Sequence, residues 1–184
     1  NVETFVLNEP DGLNQVTKII LPGVGAFDVA MSKLNESGLR VALDEAVLEK
    51  KIPVMGICIG MQVMANSSEE GSLEGLGWIP GKVRRFDQRK ITTVPKVPHM
   101  GWNMVSPSEH SILKDIDYSF GFYFMHSYYF EAERRESVIA SSFYTQDFDC
   151  AINIENIFGV QFHPEKSHRN GIQLFKNFFD LPLC

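Results

Sequence analysis

The chain has 184 residues, 44% hydrophobic and 22% charged, with a net charge of −6. That balance belongs to one globular domain large enough to bury a core, and it carries no disorder signature. An acidic chain without a basic stripe offers nucleic acid no electrostatic footprint, and its apolar runs are too short and too often broken by Pro or Gly to span a bilayer.

In chain order, residues 2–7 alternate like a short strand, and Pro10-Asp11-Gly12 is turn chemistry. Residues 18–21 form a compact buried strand that ends at Pro22-Gly23. From Phe27 to Lys51 the pattern is helical: Phe27, Met31 and Leu34 share one face, and Leu39, Leu43 and Val47 another, with Gly38 dividing two helices. Residues 52–57 read as a second buried strand and 59–65 as a helix. Strand, helix, strand, helix predicts parallel pairing in an α/β sheet. Short aromatic and β-branched strands follow at 82–86, 121–128, 138–144, 151–154 and 157–162, which predicts added antiparallel or mixed sheet. A closing helix over 171–179 presents Ile172, Phe175, Phe178 and Phe179 on one face. The N-terminal stretch has no basic region and no cleavage pattern, so a cytoplasmic location is the default expectation.

The three cysteines are Cys58, Cys150 and Cys184, a sparse odd set that argues against a disulfide scaffold or a structural zinc site. Cys58 sits in Gly56-x-Cys58-x-Gly60, between a predicted strand and a predicted helix. A sharp strand-to-helix corner exposes its central side chain and sets it at a helix N-terminus, which favours a thiolate; the next N–H, on Ile59, can meet an oxyanion. A buried structural cysteine between packing glycines fits the same eight residues.

A thiol nucleophile needs a base, and the base needs an orienter. Of the five histidines, His163 ends a predicted strand, where open α/β sheets place their sites, and Glu165 lies two residues on across Pro164. A surface turn, or metal ligation by His163 and Glu165, are the competing readings; no second ligand cluster accompanies them. Leu21-Pro22-Gly23-Val24-Gly25 lacks nucleotide-loop spacing and reads either as an oxyanion loop or as a plain turn. The stretches 98–103 (PHMGWN) and 124–129 (FMHSYY) mix aromatic and hydrogen-bonding groups, as recognition surfaces or packed cores do.

Taken in order, PGVGAF, GxCxGxQ, PHMGWN, HSY and GVQFHPEKS resemble the class I (triad) glutamine amidotransferases, and more narrowly the glutaminase subunits of imidazole glycerol phosphate synthase. The resemblance covers nearly the whole chain. It implies a flavodoxin-like α/β fold, a mostly parallel central sheet flanked by helices with an added small antiparallel sheet, in a single domain over 1–184. It implies Cys58 as nucleophile, His163 as general base and acid, and Glu165 as its orienter. The N–H groups of Ile59 and, once its peptide reorients, Val24 would hold the oxyanion. Gly23, Gly25, Gln62, His126, Ser127 and Tyr128 match positions lining the glutamine pocket; Gln62 stands one helical turn past Cys58. His99, Met100, Trp102, Asn103 and Lys166 match segments at the interface with a (βα)8-barrel synthase subunit. That partner uses the ammonia to make imidazole glycerol phosphate and AICAR in histidine biosynthesis. No metal or organic cofactor is expected.

Two departures accompany the resemblance. Family members carry a strand and helix ahead of the position matching Val2, so the chain is expected to be an N-terminally trimmed piece. The stretches SSEEGSLEGLGWI and NIFGVQFHPEKSH also resemble a paralogous branch that feeds ammonia to a sugar amidotransferase in surface-polysaccharide synthesis. A silent regulatory subunit keeping the same fold is the third alternative.

Overall fold

A computed structural model describes residues 2–90 and 97–182, apart from the Lys90 side chain. In chain order its strands are β1 (Ile19–Gly23), β2 (Val54–Cys58), β3 (Ser67–Ser68), β4 (Gly81–Arg85), β5 (His99–Asn103), β6 (Val105–Pro107), β7 (Phe122–His126), β8 (Tyr128–Ala132), β9 (Val138–Phe143), β10 (Asp147–Ile154) and β11 (Ile157–Val160). The α-helices are α1 (Phe27–Glu36), α2 (Leu39–Asp44), α3 (Ile59–Gln62) and α4 (His168–Phe179).

The large sheet runs β1-β2-β11-β10-β8-β4-β3, with β9 added on β10 and β6 on β9. It is mixed. β1, β2 and β11 are mutually parallel, whereas β11–β10, β10–β8 and β8–β4 are antiparallel. The parallel part is where helices cover the sheet. Every residue of β2 is buried, and its sequence, VMGIC, is accordingly apolar without alternation. A separate antiparallel pair joins β5 to β7, from His99 opposite His126 to Asn103 opposite Phe122.

Gly38 divides α1 from α2 at φ 74°, a left-handed corner that a side chain disfavours. Phe27, Met31 and Leu43 enter the core from the two helices. The chain after α2 continues as a π-turn, Glu45–Glu49, rather than as α-helix to Lys51. The predicted helix over 59–65 is α only to Gln62; Met64 and Ala65 then bond three residues back, to Met61 and Gln62, which tightens the last turn.

Three expectations are corrected. Residues 2–7 form no strand: Val2, Phe5 and Val6 are exposed, and alternation without a neighbouring edge to bond does not make a ladder. Residues 98–103, where no strand is predicted, are mostly strand β5. In α4, Ile172 is 71% exposed and the inward face is Asn170, Gly171, Leu174 and Phe178. Gly171 sets that rotation, because a Cβ there would lie 1.7 Å from the Pro164 carbonyl oxygen. The Asn170 amide then bonds the carbonyls of Asp117 and Gly121. Cys184 lies outside the described residues. No helix among them is long and apolar enough to cross a membrane.

Candidate active site

Cys58 closes β2 and opens α3 with φ 55° and ψ −110°, a backbone conformation that L-residues rarely adopt and that functional corners retain. The flanking glycines are required by contact. A Cβ at Gly60 would lie 1.7 Å from the Leu21 carbonyl oxygen, and one at Gly56 would lie 2.5 Å from the Gly60 oxygen. The helix therefore sits directly on β1 and β2, and the cysteine is forced out at the sheet's carboxyl end.

The site is a cavity of about 170 Å³ lined by Val24, Gly25, Cys58, Ile59, Gln62, Glu70, Pro98, Met125, His126, Ser127, Tyr128 and His163. It is smaller than the ~300 Å³ at which drug-sized pockets begin, and so suits a small metabolite. Both readings of Cys58 meet here: it is 5% exposed, yet it faces a cavity that a histidine shares. Its thiol donates to the Met125 carbonyl at 3.9 Å and receives the Gln161 amide Nε2–H at 3.6 Å. Burial pushes the thiol up to about 11; the Ile59 N–H pulls it down, Glu165 and Glu70 raise it further, and Gln161 opposes them. The resting group is a protonated thiol.

His163 is buried, and its Nδ1 meets Glu165 Oε1 at 2.7 Å. Its Nε2 is buried with no hydrogen-bond partner. An orphan imidazole nitrogen in a cavity is costly unless something arrives to use it. The histidine is fixed on both sides of its backbone: its N–H reaches the Tyr123 carbonyl at 2.8 Å, and Ser167 Oγ donates to its carbonyl at 2.6 Å. Among the described residues no group of three or more His, Cys, Asp or Glu could hold a metal ion.

Gln62 donates from Nε2 to the Tyr128 carbonyl at 3.0 Å and to Gln161 Oε1 at 2.9 Å, which leaves its own Oε1 buried and unpartnered beside the cavity. Glu70 caps α1 by accepting the Phe27 N–H at 2.8 Å. Its loop is pinned by Asp28, whose carboxylate takes the N–H groups of Ser72 and Leu73 and is thereby held below the usual range. Gly25 has φ 100°, the glycine-favoured region, and Val24 beside it is 78% exposed. Gly23 does not line the cavity; it is the close contact between β1 and α3, with the Gly60 nitrogen 2.8 Å from where its Cβ would be.

Strand alternation sorts the β5 residues. Met100 and Trp102 are exposed, Trp102 stacked on His168, while His99 is 3% exposed and Asn103 is half-buried. His99 is thus an interior residue rather than a surface contact, packed between the rings of Phe124 and Tyr144. Lys166 is exposed.

His99 and His126 form a directed chain. His126 Nδ1 donates to the Tyr128 carbonyl at 2.7 Å, so its Nε2 accepts from His99 Nδ1 at 2.9 Å, and His99 Nε2 accepts from Asn103 Nδ2 at 3.1 Å. Both rings are neutral in this arrangement, and burial lowers His99 to about 4 and His126 to about 3. A histidine held below its unfolded value contributes stability above that value and loses it as pH falls toward the folded one. Urea unfolding should therefore show stability dropping from pH 6.5 to pH 5, above the carboxylate range, with a slope of up to two protons; a flat profile would contradict the neutral pair.

The family model for glutamine amidotransferase class-I matches residues 3–181. The chain belongs to that family. As a class-I amidotransferase it is a glutamine-hydrolysing enzyme. It is 49% identical over 182 residues to imidazole glycerol phosphate synthase subunit HisH of Leptospira interrogans, covering 98% of this chain and 89% of that protein. It is 52% identical to the subunit of the same name in Leptospira borgpetersenii over the same shares, and 50% identical to that of Bdellovibrio bacteriovorus, over 98% of this chain and 89% of that one. Among solved structures, one described as a glutamine amidotransferase aligns with a TM-score of 0.68 at 16% identity, over 97% of this chain and 86% of its own. The glutaminase domain of Trypanosoma brucei CTPS aligns at 0.60 and 19%, over 95% and 76%. These two show the fold alone.

Two polar side chains of this amidotransferase site were missed in the sequence, as were Pro98 and Met125 in its lining. Gln161 was within reach: it lies two positions before His163 on one extended run, and alternation puts both on one face. Glu70 carried no local signal, because only the tertiary contact with α1 brings it to the cavity.

Proposed function

We propose that the chain is the glutaminase subunit of imidazole glycerol phosphate synthase, working in the cytoplasm through Cys58, His163 and Glu165. The observation that carries the catalytic reading is the orphan Nε2 of His163, sharing one cavity with the Cys58 thiol while Glu165 occupies its Nδ1.

The thiol proton passes to His163 Nε2 as Sγ attacks the side-chain amide carbon of glutamine. The resulting oxyanion takes the N–H of Ile59 and, after reorientation, that of Val24. Collapse breaks the carbon–nitrogen bond, His163 gives its proton to the nitrogen, and ammonia leaves a γ-glutamyl thioester. Water then attacks with His163 again as base, glutamate departs and the thiol is restored. Glu165 keeps the Nδ1 proton in place throughout, so that Nε2 is the basic nitrogen.

Gln62 Oε1 and the Glu70 carboxylate suit the α-ammonium of the amino acid, with Gly25, His126, Ser127 and Tyr128 closing the pocket around it. Glu70→Gln should accordingly raise the KM for glutamine about tenfold or more, as loss of a charge-assisted contact does, with kcat changed far less. Steady-state glutamate release checks it; a fall in kcat at constant KM would remove Glu70 from substrate binding.

The exposed Met100 and Trp102, with Lys166, support a docking face for a (βα)8-barrel subunit. The test is co-purification with that barrel followed by an ammonia-transfer assay. Formation of imidazole glycerol phosphate and AICAR supports the reading. Ammonia transfer only to a sugar acceptor, or a complex without Cys58-dependent turnover, would replace it with one of the alternatives.

A further inference from the structure

The mechanism above leaves the most deeply buried polar side chain beside the nucleophile without a task. Gln161 is 0% exposed and directs its amide Nε2–H at the Cys58 sulfur, 3.6 Å away. Its orientation is not free. The amide oxygen is taken by Gln62 Nε2 at 2.9 Å, which fixes which end of Gln161 carries hydrogen. Gln62 is itself tied to the Tyr128 carbonyl, on which His126 Nδ1 also converges. The Gln161 backbone is held as well, its N–H bonding the Cys150 carbonyl at 2.9 Å.

The sulfur sits in an environment hostile to negative charge. It is buried, it lies near two carboxylates, and its own proton rests on a carbonyl oxygen. A side-chain donor locked toward sulfur is worth little to a thiol, which is a weak acceptor, and much more to a thiolate. We infer that Gln161 is a catalytic residue of this site: its Nε2–H is the side-chain donor that stabilises the Cys58 thiolate as the proton leaves for His163, and Gln62 holds it in that orientation. The inference rests on Cys58 being the nucleophile. It also gives Gln62 two tasks, one on each end of its amide, so that substrate caught on Oε1 steadies the same side chain that aims Gln161.

The experiment follows alkylation of Cys58 by iodoacetamide, read on the Cys58 peptide by mass spectrometry, in the wild-type chain and in Gln161→Leu and Gln161→Glu. Gln161→Glu keeps an oxygen for Gln62 but turns an acceptor toward sulfur. The rate at pH 8 follows the thiolate fraction, so both variants should label about tenfold more slowly, and kcat should fall ten- to a hundredfold, with KM for glutamine little changed in Gln161→Glu, which keeps the Gln62 contact. A residue that only fills space would, on removal, open the cavity and speed labelling. Labelling as fast as wild type or faster, in whichever variant folds, overturns the inference. Turnover retained by Cys58→Ala would instead overturn the nucleophile reading beneath it, so the two failures are distinct.

Discussion

Replacing Cys58 with Ala should lower glutamate release by roughly 10⁴-fold or more, with the fold intact. The size follows from the role. Without Sγ no thioester forms, and the water that would have to replace it meets a histidine placed for a different proton. Alanine fits the site: the side chain is small, faces a cavity, and the strain at φ 55° belongs to the backbone, which alanine shares. Partner binding and the thermal midpoint should therefore stay close to wild type. Glutaminase assay in the presence of the partner subunit, beside a melting curve, separates chemistry from stability. A silent regulatory subunit would show the same low turnover with either residue at 58.

Gly60→Ala should be among the most damaging single methyl groups in the described structure. Its Cβ would lie 1.7 Å from the Leu21 carbonyl oxygen and 2.8 Å from the Leu21 carbonyl carbon, both backbone atoms of a strand in the sheet. No rotamer relieves that contact, so α3 must lift off β1. Overpacking of this kind costs about 3 kcal/mol or more, and for a chain of this length that lowers Tm by about 10 °C. Activity should fall even at temperatures where the variant stays folded, because the same lift displaces the Ile59 N–H and the Cys58 corner. Gly25→Ala is the contrasting control. Nothing lies within 4 Å of its Cβ, so its cost is the strain of φ 100° alone. Equal Tm losses for the two would show that close packing at Gly60 is not what the sequence requires there.

The parts of this site legible in the sequence are those encoded within a few residues of one another. Gly56, Cys58 and Gly60 announce their corner because the spacing itself demands glycine where helix meets strand. His163 and Glu165 are two residues apart, so their pairing needs no knowledge of the fold. Gln62 follows from one turn of helix. What escaped depends on distant contacts. Glu70 reaches the cavity because Asp28 and the Phe27 N–H hold its loop against α1, over more than 40 residues of chain. The burial of His99 depends on the β5–β7 register, which no local pattern states. The same limit shaped the fold. Alternation at 2–7 implied a strand that has no partner to pair with in the described structure. Apolar spacing in α4 favoured Ile172, whereas the contact of Gly171 with Pro164 turned the helix the other way. Of the strands after β4, those at β7, β9, β10 and β11 were recognised singly, β5, β6 and β8 were not, and how they interleave on β10 is set by long-range pairing.

The central claim is that Cys58 is the nucleophile served by His163. It is tested most directly by treating the chain, with its synthase partner subunit present, with an electrophilic glutamine analogue and identifying the modified residue by peptide mass spectrometry. The account predicts one adduct, on Cys58, formed more slowly in His163→Asn and suppressed by excess glutamine. An adduct on Cys150 or elsewhere, or labelling of Cys58 that glutamine does not protect against, would contradict it.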